Sequence, residues 1–141
     1  MEEKTLKKTA PWILVAEDQP EISQLMAQLI KARDQWKVEI VENGEVAIKE
    51  WNRGDYDIII MDIQMPVKDG IEATKEIRKA EKDNKSDHRI PIIALTAKSS
   101  YKRATIEAGM DDFLSKPFKV KVLIEAINKQ LKKIGKEAHI V

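Results

Sequence analysis

Five short strand-like runs alternate along this chain with longer segments of helical spacing, and this alternation constrains the fold more than any other feature. The runs lie at residues 12–16, 37–41, 58–61, 91–95 and 112–115. In the segments between them, apolar residues recur every three or four positions, which is typical of a helix that packs on one face. Strands and helices in alternation predict an α/β fold, in which helices cover both faces of a parallel sheet. The run at 58–61 is entirely apolar, which predicts a central strand.

The segments between the strands carry signals for five helices. These are predicted at residues 20–32, 45–51, 71–80, 101–108 and 120–134. Pro20 suits the first position of a helix, and Gly109 suits the left-handed residue that closes one. Residues 81–89 are predicted to form a polar loop. The last helix carries one apolar stripe, which consists of Val120, Leu123, Ile124, Ile127, Leu131 and Ile134.

Composition limits what the chain can do. Its 141 residues fit one compact domain, and 25 basic against 24 acidic residues argue against nucleic-acid binding by bulk charge. The absence of cysteine excludes disulfides, thiolate catalysis and cysteine zinc sites. His88 and His139 lie far apart in the sequence, so each is predicted to be exposed rather than a metal ligand. No secretory signal or membrane-spanning apolar run is found, so a cytoplasmic location is expected.

Polar side chains that suit a binding site follow four of the five strands. Glu17 and Asp18 follow the first strand, Asp62 the third, Thr96 the fourth and Lys116 the fifth. Ligands of open parallel sheets bind beyond the carboxyl ends of the strands, so these side chains are expected to share one edge. Alone, each residue has an ordinary interpretation, such as a helix-initiating acid, a turn residue or a surface lysine. Their joint placement at four strand ends favours a site.

The chemistry of these residue types points to phosphoryl transfer. Three carboxylates at one edge repel each other unless a cation joins them, and oxygen ligands of this kind suit Mg²⁺. A carboxylate, a magnesium ion and a lysine are typical of phosphoryl transfer, because the two cations neutralise the transferring group. A carboxylate can itself be the nucleophile. Asp62 is the best candidate because it ends the most central strand.

Four segments carry a resemblance to a known family. They are ILVAED at 13–18, IMDIQMPVKDG at 60–70, IIALTA at 92–97 and AGMDDFLSKPF at 108–118. In this order they resemble the receiver domain of response regulators in two-component signalling, over residues 12–134. The resemblance implies a flavodoxin-like, doubly wound sheet of five parallel strands in the order 2-1-3-4-5, with five helices. Residues 1–11 would be an N-terminal extension and residues 135–141 a C-terminal tail.

The resemblance also assigns roles to individual residues. Asp62 matches the phosphoacceptor, and Lys116 matches the lysine that pairs with the phosphoryl group. Thr96 matches the hydroxyl that moves onto the phosphoryl oxygens, and Phe113 matches the aromatic switch residue, here without a hydroxyl. Pro117 matches a proline whose preceding bond the family holds cis. The implied ligands of Mg²⁺ are Glu17, Asp18, Asp62 and the backbone carbonyl of Gln64.

The same resemblance implies a signalling partner rather than a substrate. The phosphoryl donor would be a phosphohistidine on a histidine kinase or a histidine phosphotransfer domain, and the protein would catalyse only its own phosphorylation and dephosphorylation. The segment around Asp62 and the loop at 81–89 resemble receivers of hybrid histidine kinases. Neither nucleic-acid binding nor membrane insertion is expected, and a homodimer through the last two strand–helix units stays open. The stretch from Thr96 to Gly109 is slightly shorter than in the family, which leaves the readout of phosphorylation open.

Two other functions fit part of the pattern. A phosphatase of the haloacid-dehalogenase type also forms an aspartyl phosphate with magnesium, but it needs a second acid two residues after the nucleophile, where this chain has Gln64. Its nucleophile also lies on the first strand rather than the third. A docking module that needs no phosphorylation is expected to lack the acceptor, the acidic pair or the lysine, and this chain has all of them.

Overall fold

The computed structural model describes residues 10–33 and 36–135, and the predicted alternation is complete within them. The strands are β1 (Trp12–Ala16), β2 (Lys37–Val41), β3 (Ile58–Asp62), β4 (Ile92–Thr96) and β5 (Asp112–Ser115). The helices are α1 (Pro20–Lys31), α2 (Gly44–Arg53), α3 (Gly70–Asp83), α4 (Lys102–Ala108, preceded by a 3₁₀ turn at Ser99–Tyr101) and α5 (Val120–Lys133). The strands are parallel and lie in the order β2-β1-β3-β4-β5. The predicted flavodoxin-like fold is therefore confirmed.

Consecutive side chains of the central strands point to opposite faces of the sheet, so each face has its own apolar core. One core lies beneath α2 and α3, and the other lies beneath α1 and α5. Every residue of β3 and β4 is buried, including the polar residues Asp62 and Thr96 at their ends. Apolar packing along both strands thus fixes the positions of Asp62 and Thr96 at the carboxyl edge of the sheet.

Helix α3 is longer than the sequence predicts. The predicted loop at 81–89 is wrong at its start, because α3 runs to Asp83. Glu81 is buried, and both of its carboxylate oxygens are bonded: Oε1 accepts from Nη1 of Arg78, and Oε2 accepts from the backbone N–H of Ile90. Hydrogen bonds from Arg78 and Ile90 compensate the burial of this acidic residue in the helix. Neither contact produces a periodic signal in the sequence.

The apolar stripe of the last helix is shorter than predicted. Leu123, Ile127 and Leu131 are buried, whereas Val120 and Ile134 are 49% and 38% exposed. Val120 is the first residue of α5 and Ile134 is the residue that follows its last turn, so both lie outside the turns that pack on the sheet.

The remaining predictions about the chain as a whole have mixed outcomes. His88 is exposed, as predicted, whereas His139 and the tail beyond residue 135 lie outside the described residues. The limits of the domain at residues 12 and 134 stay a prediction. Among the helices described here, none combines the length and the apolar character that crossing a membrane requires.

Candidate functional site

The carboxyl ends of four strands meet at one edge of the sheet, and the predicted polar residues lie there. Asp62 ends β3 and pairs with the residue that precedes Thr96 at the end of β4. Glu17 and Asp18 follow β1, which pairs with β3 on the side opposite β4. Lys116 follows β5, which pairs with β4. Parallel pairing alone therefore brings these five residues to one edge.

Three carboxylates form a compact cluster at this edge. Glu17, Asp18 and Asp62 each offer an oxygen, and these oxygens lie within 4.8 Å of one another. Nζ of Lys116 lies 3.0 Å from Oε1 of Glu17 and 3.3 Å from Oδ2 of Asp62. The side chains of Glu17, Asp62 and Lys116 are 0%, 4% and 16% exposed. Glu17, Asp62 and Lys116 are therefore largely shielded from water, which strengthens the interactions between their charges, whereas Asp18 is more exposed.

Burial and neighbouring charges shift the ionisation of this cluster. The pKa of Asp62 is raised from 3.8 to about 6, first because burial disfavours the carboxylate and second because Glu17 repels it. Lys116 opposes this shift without cancelling it. Burial acts to lower the pKa of Lys116, but its close ion pair with Glu17 and the charge of Asp62 outweigh burial and raise it. Lys116 therefore stays cationic at neutral pH, and one cation faces three acids.

The donor set fits a small divalent cation. Carboxylate oxygens are the ligands that Mg²⁺ prefers, and the lysine offsets the charge of one carboxylate at most. Oε1 of Glu17 is buried and, despite its close ion pair with Lys116, lacks a hydrogen bond of good geometry. The backbone N–H of Gln64 donates to Oδ1 of Asp62 at 3.3 Å, so residue 64 lies beside the cluster. The cluster is thus a candidate metal centre, and the carbonyl of Gln64 as a further ligand stays a prediction.

The loop from β3 to α3 packs closely on the site. A Cβ atom at Gly70 would lie 2.2 Å from the backbone oxygen of Asp62, so this position requires glycine. Nζ of Lys68 lies 3.2 Å from Oε1 of Glu45 on α2 and forms a second ion pair with Glu76 on α3. A glycine at the start of a helix is a visible sequence signal, whereas nothing in the sequence indicates that Lys68 ties this loop to two helices.

Val67 lies in the same loop with an unfavourable backbone conformation. Its φ is +67°, and the backbone N–H of Lys68 donates to the carbonyl of Pro66 at 2.7 Å, which closes a γ-turn. A β-branched residue with positive φ is strained, and Val67 is 80% exposed, so its side chain gains little from packing. We expect Val67→Asn to raise the free energy of unfolding by about 1 kcal/mol in urea denaturation, because Asn tolerates this conformation.

Val122→Asn is the matched control for this substitution. Val122 is 45% exposed and lies inside α5, where its backbone is helical. Valine and asparagine have similar helix propensities, so a change within about 0.5 kcal/mol is expected. A gain of the same size at both positions would show that removal of exposed apolar surface, rather than backbone strain at Val67, causes the effect.

Thr96 ends β4, the strand beside Asp62, and Phe113 lies on the next strand, β5; neither belongs to the carboxylate cluster. Oγ1 of Thr96 accepts a hydrogen bond from the backbone N–H of Lys98 at 3.1 Å, and Thr96 is buried. The half-buried ring of Phe113, on β5, packs against the core beneath α2 and α3. The Lys116–Pro117 peptide bond is cis. The two predicted switch residues thus lie on neighbouring strands, one before and one after α4 in the sequence.

The same residues lie within a match to a family of known proteins. The model of the response regulator receiver domain matches residues 13–128. Hybrid signal transduction histidine kinase B of Dictyostelium discoideum is 39% identical over 129 residues, which cover 84% of this chain and 6% of that protein. This chain therefore spans only a small part of that relative.

Two solved structures share the fold. The receiver domain of sensor histidine kinase PA1611 from Pseudomonas aeruginosa, solved with magnesium coordinated in its active-site cleft, is 34% identical with a TM-score of 0.78, covering 88% of this chain and 99% of that chain. A chain from the co-crystal of the Saccharomyces cerevisiae histidine phosphotransfer protein Ypd1 with the receiver domain of Ssk1 is 30% identical with a TM-score of 0.81, covering 86% of this chain and 89% of that chain. Since the family model covers most of its length, this protein belongs to the response regulator receiver domain family.

Proposed function

We propose that this protein accepts a phosphoryl group from a phosphohistidine onto Asp62, in a reaction that requires Mg²⁺, and acts as a conformational signalling switch. The observation that carries the proposal is the placement of Asp62. Its carboxylate ends the central strand within 4.8 Å of two further carboxylates, and Oδ2 lies 3.3 Å from Nζ of Lys116. An acid beside a lysine and a candidate metal centre is the arrangement that an aspartyl phosphate needs.

In the proposed reaction, a carboxylate oxygen of Asp62 attacks the phosphorus atom of the donor. The P–O bond to Asp62 forms as the P–N bond to the imidazole breaks, and the leaving nitrogen takes up a proton. Lys116 keeps its positive charge and pairs with an oxygen of the transferring group, which lowers the energy of the developing negative charge. Magnesium held by Glu17, Asp18, Asp62 and the carbonyl of Gln64 would supply further positive charge to those oxygens.

The acceptor must be ionised before it can attack. The pKa of Asp62 is raised to about 6, so at neutral pH most of the protein carries the carboxylate form. Burial that raises this pKa also makes the carboxylate less hydrated, and a less hydrated anion needs less energy to give up water as the phosphoryl group approaches. The same burial excludes water from the product, which supports a phosphoryl group that persists long enough to signal.

Phosphorylation would be sensed by Thr96 and Phe113. Thr96 follows the residue of β4 that pairs with Asp62, so a short movement of its hydroxyl would bring it to a phosphoryl group on Asp62. In the unphosphorylated protein that hydroxyl already accepts a hydrogen bond from Lys98. Movement of Thr96 toward the phosphoryl oxygens would vacate space on the side of Phe113, whose half-buried ring can then repack.

Intact-protein mass spectrometry after incubation with acetyl phosphate tests the acceptor. We expect a single phosphoryl adduct that needs Mg²⁺ and is absent from Asp62→Asn, because the amide is not a nucleophile of this kind. Asp87→Asn is the matched control, since Asp87 is an exposed acid in the loop after α3. An adduct that persists in Asp62→Asn, or the absence of an adduct in the wild type with Mg²⁺ present, would overturn the proposal.

A histidine phosphotransfer domain is the proposed donor, and exposed apolar side chains beside the site support a docking surface for it. Leu25 on α1 is 48% exposed, and Val120 and Val122 at the start of α5 are 49% and 45% exposed. Both helices begin within a few residues of the carboxylates or of Lys116. The relative in the Ypd1 complex is a receiver domain of this family, which agrees with such a partner.

We expect Leu25→Asp to slow phosphoryl transfer from a phosphorylated phosphotransfer protein about tenfold or more, because a charge replaces a central apolar contact. Labelling by acetyl phosphate, which needs no docking, is expected to stay at the wild-type rate. Ile106→Asp on α4 is the control, since Ile106 is 63% exposed but lies on another helix. Slower labelling of Leu25→Asp by both donors would indicate damage to the site instead of loss of docking.

A further inference from the structure

Charge is divided across the carboxyl edge of the sheet, with acids on one side of Asp62 and bases on the other. Strands β2 and β1 lie on one side of β3, and β4 and β5 lie on the other. The segments that follow β1 and β2, residues 17–30 and 42–48, carry acidic residues and no basic ones. The segments that follow β4 and β5, residues 97–106 and 116–124, carry basic residues and no acidic ones. The net charge of the chain is only +1, so the division is a property of this edge and not of the composition.

The basic side of the edge has an exposed surface, the basic rim, which consists of Lys98, Lys102, Arg103, Lys119 and Lys121. Within residues 10–33 and 36–135, none of these side chains forms an ion pair. On the acidic side, by contrast, the exposed Glu45 is already paired with Lys68. The charges of the basic rim are therefore available to a partner.

Helix stability does not explain the basic rim. The N-terminal end of a helix carries a partial positive charge, so acids stabilise the first turn and bases destabilise it. Helices α1, α2 and α3 follow this rule with Glu21, Glu45 and Glu72. Helices α4 and α5 reverse it, because they have no acid in the first turn and instead carry bases there, such as Lys102 and Lys121. This arrangement opposes folding, which favours a role in binding.

The basic rim adjoins apolar side chains of the docking surface proposed for the phosphodonor. Lys119 and Lys121 flank Val120 in the sequence, and Val120 and Val122 are 49% and 45% exposed. Apolar side chains surrounded by polar and charged ones are typical of a protein–protein interface. A nucleic acid would be attracted by the basic rim but repelled by the acids on the other side of Asp62. A protein surface can present both charges, so a protein is the partner that fits.

We propose that the basic rim binds an acidic patch on the protein that carries the phosphohistidine, and that the divided charge orients this protein so that its histidine faces Asp62. This inference rests on the proposed function and adds the chemistry of the partner's surface. A partner docked in the reversed orientation would bring like charges together, which disfavours the unproductive complex. Opposite charges also speed the encounter, and this gain falls as salt screens them.

Neutralisation of the basic rim tests the proposal, with Lys102→Gln, Lys119→Gln and Lys121→Gln combined in one rim variant. The donor is Saccharomyces cerevisiae Ypd1 phosphorylated on histidine, or another phosphotransfer protein if Ypd1 does not label the wild type. At low ionic strength, transfer to the rim variant is expected to be about tenfold slower than to the wild type. At high ionic strength the difference should shrink to about twofold or less. Labelling by acetyl phosphate should stay within about twofold of the wild-type rate, because this small donor does not cover the rim.

The control combines Lys82→Gln, Lys129→Gln and Lys133→Gln, which remove the same charge from exposed positions in later turns of α3 and α5. Wild-type transfer is expected at both ionic strengths. The rim variant itself should unfold at the wild-type urea concentration or above it, because the removed charges oppose the ends of α4 and α5. Transfer to the rim variant at the wild-type rate at low ionic strength would overturn the proposal. Equal slowing with the protein donor and with acetyl phosphate would also overturn it, since the lysines would then act on Asp62 instead of on a partner.

Variants of the donor decide whether its acids meet the rim. Replacement of exposed acids beside the phosphohistidine by amides should slow transfer to the wild type and have little effect on transfer to the rim variant, and additive effects would contradict the proposal. Mass that rises with concentration in light scattering of the wild type, and not of the rim variant, would make a second copy the occupant instead. If acetyl phosphate leaves no adduct on Asp62, the proposed function fails. If acetyl phosphate labels Asp62 but no phosphotransfer protein does, the acceptor stands and the inference about its partner fails.

Discussion

Replacement of Lys116 by methionine is expected to lower the free energy of unfolding by about 3 kcal/mol at neutral pH without Mg²⁺. Nζ of Lys116 lies 3.0 Å from a carboxylate oxygen of Glu17 and 3.3 Å from one of Asp62, and both acids are almost fully buried. Methionine fills a similar volume but leaves two repelling carboxylates without a cation. The protein then either keeps two uncompensated buried charges or takes up a proton, and both alternatives destabilise the folded state.

Urea denaturation measures this effect, with Lys121→Met as the control. Lys121 is an exposed lysine on α5, so its replacement is expected to change stability by less than about 0.5 kcal/mol. Addition of Mg²⁺ should restore part of the stability of Lys116→Met, since a metal held by the three carboxylates replaces the missing charge. Equal stability of the two lysine variants would mean that Lys116 does not compensate the acids.

The double variant Lys116→Met with Asp62→Asn separates pairing from packing. Removal of the Asp62 charge leaves one buried carboxylate instead of two, so the loss caused by Lys116→Met should shrink in this background. The difference between the two losses is the coupling free energy of residues 62 and 116, expected to lie between about 1 and 3 kcal/mol. Purely additive effects would show that the ion pair contributes nothing to folding.

The fold and the acidic site could be predicted from the sequence because both follow from local patterns. Apolar strand runs separated by helical segments leave few alternatives to a parallel sheet. Residues that directly follow parallel strands must then share an edge, which predicts this edge for Glu17, Asp18 and Asp62. The strand order that makes β1 and β3 neighbours came from the resemblance. The roles assigned to Thr96 and Phe113 came from resemblance instead. The position of Thr96 after the fourth run predicts that it shares this edge but not what it does there, and a strand phenylalanine carries no positional signal.

Features that depend on contacts distant in sequence could not be predicted. The side chain of Arg78 donates hydrogen bonds to Gly109 and Asp111, which lie 31 and 33 positions further along the chain. Its other partner, Glu81, was predicted to lie in a polar loop. Lys68 joins two helices through ion pairs that no periodicity reveals. The positive φ of Val67 is opposite to what a β-branched residue prefers, so sequence propensity alone excludes it. In each case, contacts with residues distant in sequence, or the path that the loop must follow, outweigh the local preference of the residue.

Asp62 is expected to make the wild-type protein less stable as pH rises from about 4 to about 7 in the absence of Mg²⁺. Its pKa is raised to about 6 in the folded protein from 3.8, so between these values the folded state holds a proton that the unfolded chain has released. Unfolding therefore releases a proton, and the free energy of unfolding decreases as pH rises through this range. The contribution is on the order of 2 kcal/mol, and it is fully present only below the unfolded pKa.

Asp62→Asn should remove this contribution, because the amide does not titrate. The variant is expected to gain stability relative to the wild type as pH rises, by on the order of 2 kcal/mol between about pH 4 and pH 7 in urea denaturation. Asp87→Asn, which replaces an exposed acid, is expected to show no such trend. Mg²⁺ should reverse the order of the two proteins at neutral pH, since a cation favours the ionised carboxylate that only the wild type has. A constant difference in stability at all pH values, with and without Mg²⁺, would mean that Asp62 is neither desolvated nor part of a metal site.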